Sequence, residues 1–309
     1  MIKKFINVFF YRTKLFCIGI TNTNILDFVK NKKQDDVKWM KYSSGFIADP
    51  FFYSKDNKIY IFFEEYIEKK KKGVISIVEF LDNNFINKSI IIEENSHLSY
   101  PTLIEYDSNL YCIPEQSNGN GLFLYKSLEF PNKWEKRLLL TGKFSDSEFL
   151  FYNNKWWMFC TFETGNYFET NSKLYIYHSD CLESDWTPHI NNPVKVDISS
   201  ARSGGKIFFN NGEIFRPAQD CSEDYGKNLV INKIIKLNEF EFEEVKNTII
   251  NPQKSSKYKD GIHHITGNNI YTVIDGYKYK YRLRTINMIF NNIHNIIKNK
   301  LKGTKVTKE

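Results

Sequence analysis

The sequence predicts an all-β protein, a five-bladed β-propeller with a short N-terminal extension and a basic C-terminal helix. Three observations carry that expectation. Of 309 residues, 26 are Phe and 19 are Tyr, and hydrophobic residues reach 41%, a composition that suits pleated, half-buried strands around a large core. One β-hairpin, an apolar strand, a polar turn and a second strand rich in aromatics, recurs five times. The aromatics after the turns, Tyr60, Tyr111, Trp157, Phe215 and Tyr271, are spaced by 51, 46, 58 and 56 residues, the size of a four-stranded propeller blade. A β-sandwich would supply strands but not one hairpin returning at this period.

Taken in order, residues 1–46 form the extension, with one strand candidate at 15–20, a short polar or helical piece, and Trp39. Residues 47–278 hold the repeat. Its first copy reads ADPFF, turns at Asp56 and Asn57, and ends in FEEY. The second runs from Tyr100 through Asp107, Ser108 and Asn109 to Glu115. The third runs from Asp146 through Asn153 and Asn154 to Thr161, the fourth from Arg202 through Asn210, Asn211 and Gly212 to Asp220. The fifth runs from Gly261 through Asn268 and Asn269 to Gly276. Asp and Asn tolerate the left-handed conformation that tight hairpin turns require. Third strands follow at 74–78, 122–125, 174–177 and 229–234, and weaker fourth strands near 90–92, 134–140, Trp186 and 240–245.

Residues 279–309 change character. Ile286, Ile289, Phe290, Ile293, Ile296 and Ile297 recur at helical spacing among Lys and Arg. Such a basic amphipathic helix either lies on an anionic membrane surface or packs its apolar stripe on the propeller.

The net charge of +7 suits an acidic partner such as a phosphate, a sugar nucleotide or an anionic membrane face, or simply reflects a Lys-rich surface. No motif points to nucleic acid. Cys17, Cys112, Cys160, Cys181 and Cys221 are odd in number and contain no C-x-x-C pair, so reduced core thiols are expected and no zinc site. The apolar N-terminal run is broken by Asn7, Arg12 and Lys14 and has no cleavage site after it, unlike a signal peptide. No stretch approaches the roughly 20 apolar residues of a membrane span. The expectation is a cytoplasmic protein, peripheral on the inner face of the membrane if the tail is membrane-bound.

In a propeller the innermost strands begin beside a central funnel, so Asp49, Tyr100, Asp146, Arg202 and His263 or His264 should converge. If the two histidines share a strand they point opposite ways, and at most one faces the funnel. The ends of the second strands add Glu64, Glu65, Glu115, Asp220 and Asp275. Carboxylates serve sugar chemistry as acid, base or nucleophile, while Arg and His neutralise a departing phosphate. Bland roles compete: Asp49 as a turn cap, Glu64 or Glu65 in solvent, Arg202 and Arg216 as structural bridges. The remaining histidines, His97, His178, His189 and His294, show no ligand spacing.

The stretches ADPFF, HLSYPTLIEYDSNLYCIPEQS, FRPAQDCSEDYG and GIHHI resemble the N-terminal propeller domain family of glucosamine inositolphosphorylceramide transferases, over residues 15–277. More distantly, the layout resembles five-bladed glycosidases of the arabinanase, xylosidase, invertase and levansucrase group. That resemblance implies a carboxylate at the strand starts of blades one, three and four. Asp49 and Asp146 match the first two positions; Arg202 stands at the third, where a hydrolase keeps its general acid. A glycosidase must protonate an alkoxide leaving group, whereas a phosphate leaving group calls for cations.

The implied activity is therefore a glycosyltransferase of capsular or other surface-polysaccharide synthesis. It would move a sugar, plausibly a furanose, from a sugar nucleotide or other phosphate-activated donor to a glycan acceptor. Asp49 is expected as base, Asp146 as orienting or charge-stabilising residue, and Glu115 as a third carboxylate of the centre. Arg202, Arg216 and His263 would hold phosphates; Glu64, Glu65, Tyr100, Asp220 and His264 complete the expected substrate set. No motif demands a metal, although a divalent cation between aspartates and a diphosphate fits. A hydrolase with a relocated acid and a non-catalytic glycan-binding propeller are the alternatives.

Overall fold

The structure is a computed structural model that describes residues 10–117 and 119–283. The basic helix expected from Ile286 onward lies outside the described residues. The chain divides into two compact units. The larger is Phe16–Tyr277. The smaller is formed by the two chain ends; within it Thr13 Oγ1 donates to the Lys280 carbonyl and the Arg12 guanidinium lies 3.8 Å above the Tyr279 ring.

The first elements are β1 (Phe10–Thr21), helix α1 (Ile25–Asn31) and β2 (Lys38–Trp39). Blade one is β3 (Gly45–Lys55), β4 (Lys58–Ile67), β5 (Lys72–Leu81) and β6 (Asn84–Ile92). Blade two is β7 (His97–Tyr106), β8 (Asn109–Ser117), β9 (Leu122–Glu129) and β10 (Lys133–Leu140). Blade three is β11 (Phe144–Tyr152), β12 (Lys155–Phe162), helix α2 (Tyr167–Ser172), β13 (Lys173–Ser179), β14 (Thr187–Pro188) and β15 (Lys195–Val196). Blade four is β16 (Phe208–Asn210), β17 (Glu213–Asp220), β18 (Asn228–Leu237) and β19 (Phe242–Ile250). The last strands are β20 (Ile265–Gly267) and β21 (Thr272–Leu283).

The sheets follow sequence order with two exceptions: in blade three β15 pairs with β13 beside β14, and the fifth sheet runs β20-β21-β1-β2. The segment before residue 47, expected as an extension, thus supplies the third and fourth strands of blade five. A propeller whose last blade ended on a bare strand would leave an unpaired edge; here β1 covers it.

The turns follow the expected chemistry. Lys55 pairs with Lys58, Tyr106 with Asn109 and Tyr152 with Lys155, so each loop has two residues. Both central residues have positive φ in all three: Asp56 and Asn57, Asp107 and Ser108, Asn153 and Asn154. That is the type I′ geometry that matches strand twist.

The core lies between blades rather than within one. Among the described residues five apolar clusters are found, one at each blade boundary; Phe51, Phe62 and Ile75 of blade one, for example, pack on Leu98, Leu103 and Cys112 of blade two. Their fully buried Ile, Phe and Leu side chains each contribute on the order of 1.5–3 kcal/mol relative to exposure. All five cysteines are free thiols, and burial pushes the Cys17 thiol up to about 11.

Candidate functional site

Three inner strands begin with the same distortion. Pairing register slips between Ala48 and Phe51, between Ser99 and Thr102, and between Ser145 and Glu148. Inside each slip one residue takes the left-handed conformation: Asp49 at φ 51°, Tyr100 at 45° and Asp146 at 45°. These β-bulges re-aim a side chain at the price of about 1–3 kcal/mol of backbone strain each. Buried carboxylates hold them in place. Asp49 N donates to Asp275 Oδ2 at 3.1 Å, Tyr100 N to Asp49 Oδ2 at 3.2 Å, and Asp146 N to Glu115 Oε2 at 3.1 Å. A carboxylate of one blade thereby fastens the strained residue of the next. Asp275 Oδ1 also takes the amides of His263 and His264, at 3.2 and 3.0 Å.

The outcome is one cavity of about 230 Å³, lined by Asp49, Glu64, Glu115, Asp146, Arg202 and His263. Every blade contributes. Asp146 Oδ2 accepts from Arg202 Nε and from Gln219 Nε2, both at 2.6 Å. The same guanidinium donates through Nη1 to Asn171 Oδ1 at 3.3 Å and lies 3.6 Å from Glu115 Oε2. Charge-assisted bonds of this kind are short and directional, so the Asp146 carboxylate is fixed in place by blade four.

Burial first, then the charges of Glu64, Asp146 and Asp275, pushes Asp49 well above the usual carboxylate range. Burial and Asp146, opposed by Arg202, push Glu115 up to about 7. Burial would raise Asp275 too, but the adjoining His263 outweighs it and holds Asp275 low. His263 Nδ1 is 2.6 Å from Asp275 Oδ2, and its Nε2 is 3.6 Å from Asp49 Oδ1. A carboxylate–imidazole–carboxylate row of this kind can pass a proton along its length.

Asp49, His263 and Asp275 also bring three ligand atoms within 4.8 Å of one another. Asp275 is the most engaged of the three: both of its oxygens accept backbone amides and one faces His263 Nδ1, while Asp49 Oδ2 accepts Tyr100 N. No motif demands a cation there, and no step is assigned to one.

Not every expected site residue reaches the cavity. Of the adjacent pair Glu64 and Glu65, Glu64 lines it; Glu65 faces the other side of β4, where Lys88, Ser76 and Tyr42 donate to it and together hold it below its usual value against burial. Arg216 is wholly buried in a bidentate bond to Glu244, with Nη2 also donating to the Ser200 carbonyl. Asp220 accepts from Ser222 and Asn228. Gln219 is the residue of β17 that reaches Asp146, and Arg216 and Asp220, an odd number of positions away, lie on the opposite face. Tyr100 is fully buried and reaches from blade two to blade four, where its hydroxyl accepts Gly205 N at 3.0 Å; its ring meets Phe51 and His264 edge-on. It seals the centre of the ring rather than lining the cavity. His264 joins that seal, and burial pushes it down to about 3, so it is neutral. Only His263 of the two faces the cavity, as expected, but both lie ahead of β20 rather than in a strand.

Several lining residues carried little signal in the sequence. His97 stands on the cavity wall with Nε2 3.0 Å from Glu64 Oε1, and its Nδ1 accepts Gly73 N at 2.9 Å. That amide fixes the tautomer: Nδ1 is an acceptor, so the ring proton is on Nε2, toward Glu64. Phe16 of β1 stacks on His263 at 4.6 Å between ring centres. Tyr225 lies under the Arg202 guanidinium at 5.2 Å. The stretches HLSYP and QDCSEDYG held His97, Gln219 and Tyr225 in plain view, but only the blade geometry aims them at one point.

Comparison with known proteins adds a family. The family described as "Glucosamine inositolphosphorylceramide transferase 1, N-terminal" matches residues 33–273. Glucosamine inositolphosphorylceramide transferase 1 of Oryza sativa subsp. japonica is 34% identical over 209 residues, which cover 66% of this chain and 28% of that protein. The protein of the same name in Arabidopsis thaliana is 32% identical over 207 residues, 65% of this chain and 27% of its own length. The chain therefore spans less than a third of the curated relatives it matches. Among solved structures, a thermostable family-43 glycoside hydrolase superposes with a TM-score of 0.52 at 10% identity, covering 71% of this chain and 84% of that one. The Cellvibrio cellulosa α-L-arabinanase complexed with arabinohexaose gives 0.51 at 12%, covering 71% and 81%. At such identities the likeness is one of fold alone.

Proposed function

The chain belongs to the family of the N-terminal domain of glucosamine inositolphosphorylceramide transferase 1, and from that premise we propose that it is a glycosyltransferase moving a sugar from a phosphate-activated donor to a hydroxyl of a glycan acceptor. The relatives are named as transferases. The observation that carries the reading is the set of three carboxylates, Asp49, Glu115 and Asp146, delivered by three blades to one cavity with Arg202 bonded to the third.

The cavity is smaller than the roughly 300–1,000 Å³ of drug-sized sites, so it takes a single sugar ring. The acceptor oxygen attacks the anomeric carbon while the bond from that carbon to the phosphate oxygen breaks, its electron pair leaving with the phosphate. Asp49 takes the acceptor proton; its raised affinity for protons suits a base. His263, paired with Asp275, stands next in line for that proton. Asp146, held in place by Arg202, faces the positive charge that develops on the sugar. Glu64 and Glu115 bind hydroxyls. We place the reaction in capsular or other surface-polysaccharide synthesis, at the cytoplasmic face of a membrane whose anionic surface the charge of +7 suits.

The placement of Glu115 favours hydrolysis as the second reading: buried beside Asp146, it is pushed up to about 7, so it holds a proton more readily than a free carboxylate and suits the protonation of an alkoxide. Incubation with a panel of sugar nucleotides and glycan fragments, and separately with aryl glycosides, decides. Donor-dependent extension of a glycan supports transfer; free sugar released from an aryl glycoside with no donor present overturns it. Glycan binding without any turnover leaves a recognition module.

A further inference from the structure

Beside the carboxylate cavity lies a second recess of about 450 Å³, with Tyr167, Glu163, Asn166 and Asn171 in its wall. Arg202 and Tyr225 line both spaces. We propose that this recess holds the nucleoside of a nucleoside-diphosphate-sugar donor, with the diphosphate at Arg202 and the sugar among the carboxylates. The inference rests on the transferase reading.

Charge places the phosphates. The sugar cavity presents Asp49, Glu64, Glu115 and Asp146, which repel a diphosphate. Arg202 is the only Lys or Arg among the described residues lining either space. It has five N–H donors; one goes to Asp146 and one to Asn171, with Glu115 near a third. Donors therefore remain for a phosphate at the boundary between cavity and recess. Tyr225 beneath the guanidinium and Asn171 beside it fix its plane, as bidentate phosphate recognition requires.

Size and surface place the nucleoside. The recess has about twice the volume of the sugar cavity. Tyr167 is 50% exposed, yet its hydroxyl is anchored on the Cys221 carbonyl at 2.9 Å. A ring that is open on its face and pinned at its tip is a preorganised stacking platform for a base. Glu163 Oε1 accepts Gly165 N at 2.6 Å, which steadies a carboxylate whose second oxygen is of the type that binds ribose hydroxyls. When the anomeric bond breaks, its electron pair goes to the terminal phosphate oxygen, the acceptor proton goes to Asp49, and the nucleoside diphosphate departs from the recess.

The test is calorimetric titration of the full chain with UDP, GDP, CDP and inorganic pyrophosphate. At least one nucleoside diphosphate should bind more tightly than pyrophosphate. Tyr167→Ala should weaken it about tenfold, the low end of base stacking, and Glu163→Gln should weaken it too, while pyrophosphate affinity is unchanged in both. Nucleoside diphosphates that bind no tighter than pyrophosphate, or a Tyr167→Ala variant of unaltered affinity, overturn the assignment. If a sugar 1-phosphate or lipid-linked sugar phosphate supports transfer and no nucleoside diphosphate competes, the assignment fails and the transferase reading stands. If a nucleoside diphosphate binds with this mutational pattern but no donor is ever turned over, the recess stands and the transferase reading fails.

Discussion

Arg202 Nε donates to Asp146 Oδ2 at 2.6 Å, tying the segment that leads into β16 of blade four to the bulged strand start of blade three. Both side chains are buried, so each depends on the other for its charge to be tolerated. Removing one partner of such a pair costs about 3–5 kcal/mol. Urea denaturation should show Arg202→Ala destabilised by that order, and Arg202→Ala/Asp146→Ala by clearly less than the sum of the single variants. Additive losses would mean the pair is not coupled.

Asp49→Asn tests the base. Asn keeps an oxygen to accept Tyr100 N, so the fold should survive, whereas kcat should fall by about 10²–10⁴. Because Asp49 binds its proton more tightly than a free carboxylate, the wild-type rate should rise with pH on the acid side, and the residual rate of the variant should lack that limb. A rate–pH profile that is identical in both proteins removes Asp49 from proton transfer.

Glu148 offers a stability test away from the proposed chemistry. It is buried, and burial, partly offset by Lys206, pushes it from 4.5 up to about 8. The folded state therefore holds a proton that the unfolded chain releases above about pH 4.5. Stability from this group is fully present below that pH and is lost as pH rises toward 8, where the folded carboxyl ionises. Glu148→Gln should flatten the decline in melting temperature between pH 5 and 8. A decline of unchanged slope would place the titration elsewhere.

Gly73 is fixed by its neighbours. A Cβ there would sit 2.4 Å from the Leu98 carbonyl oxygen, 2.9 Å from His97 Cε1 and 3.0 Å from Glu64 Oε1. Gly73→Ala should therefore lower the melting temperature and, by displacing His97 from the cavity wall, raise KM for the donor. An unaltered KM alongside reduced stability would show that His97 does not touch substrate.

The ring of hairpins was legible because its cause is local: two-residue Asp/Asn turns and alternating apolar residues repeat whatever the blades do later. The convergence of Asp49, Glu115, Asp146, Arg202 and His263 was legible too, since the starts and ends of such hairpins meet wherever they close a ring. It held even though Arg202 and His263 lie ahead of the strands β16 and β20 that were expected to carry them. Arg216, Asp220 and Glu65 misled because a strand end shows which residues are near the funnel but not which face they are on. One step along the pleat turns a side chain to the opposite face, and only register decides between Gln219 and Asp220 or between Glu64 and Glu65. The closing strand of blade five was harder still. Its partner is nearly the whole chain away, and no local pattern in β1 names β21.

That closing strand makes the cavity a late arrival in time. Phe16, which precedes the four blades in the chain, packs against His263 and Tyr277, which follow them. Blades one to four can each gather as they emerge, but β1 must wait for β21 before the fifth exists, a contact of very long loop closure. Until then Asp275 has no settled place from which to hold the Asp49 amide, so the chain becomes competent in a single final event rather than blade by blade.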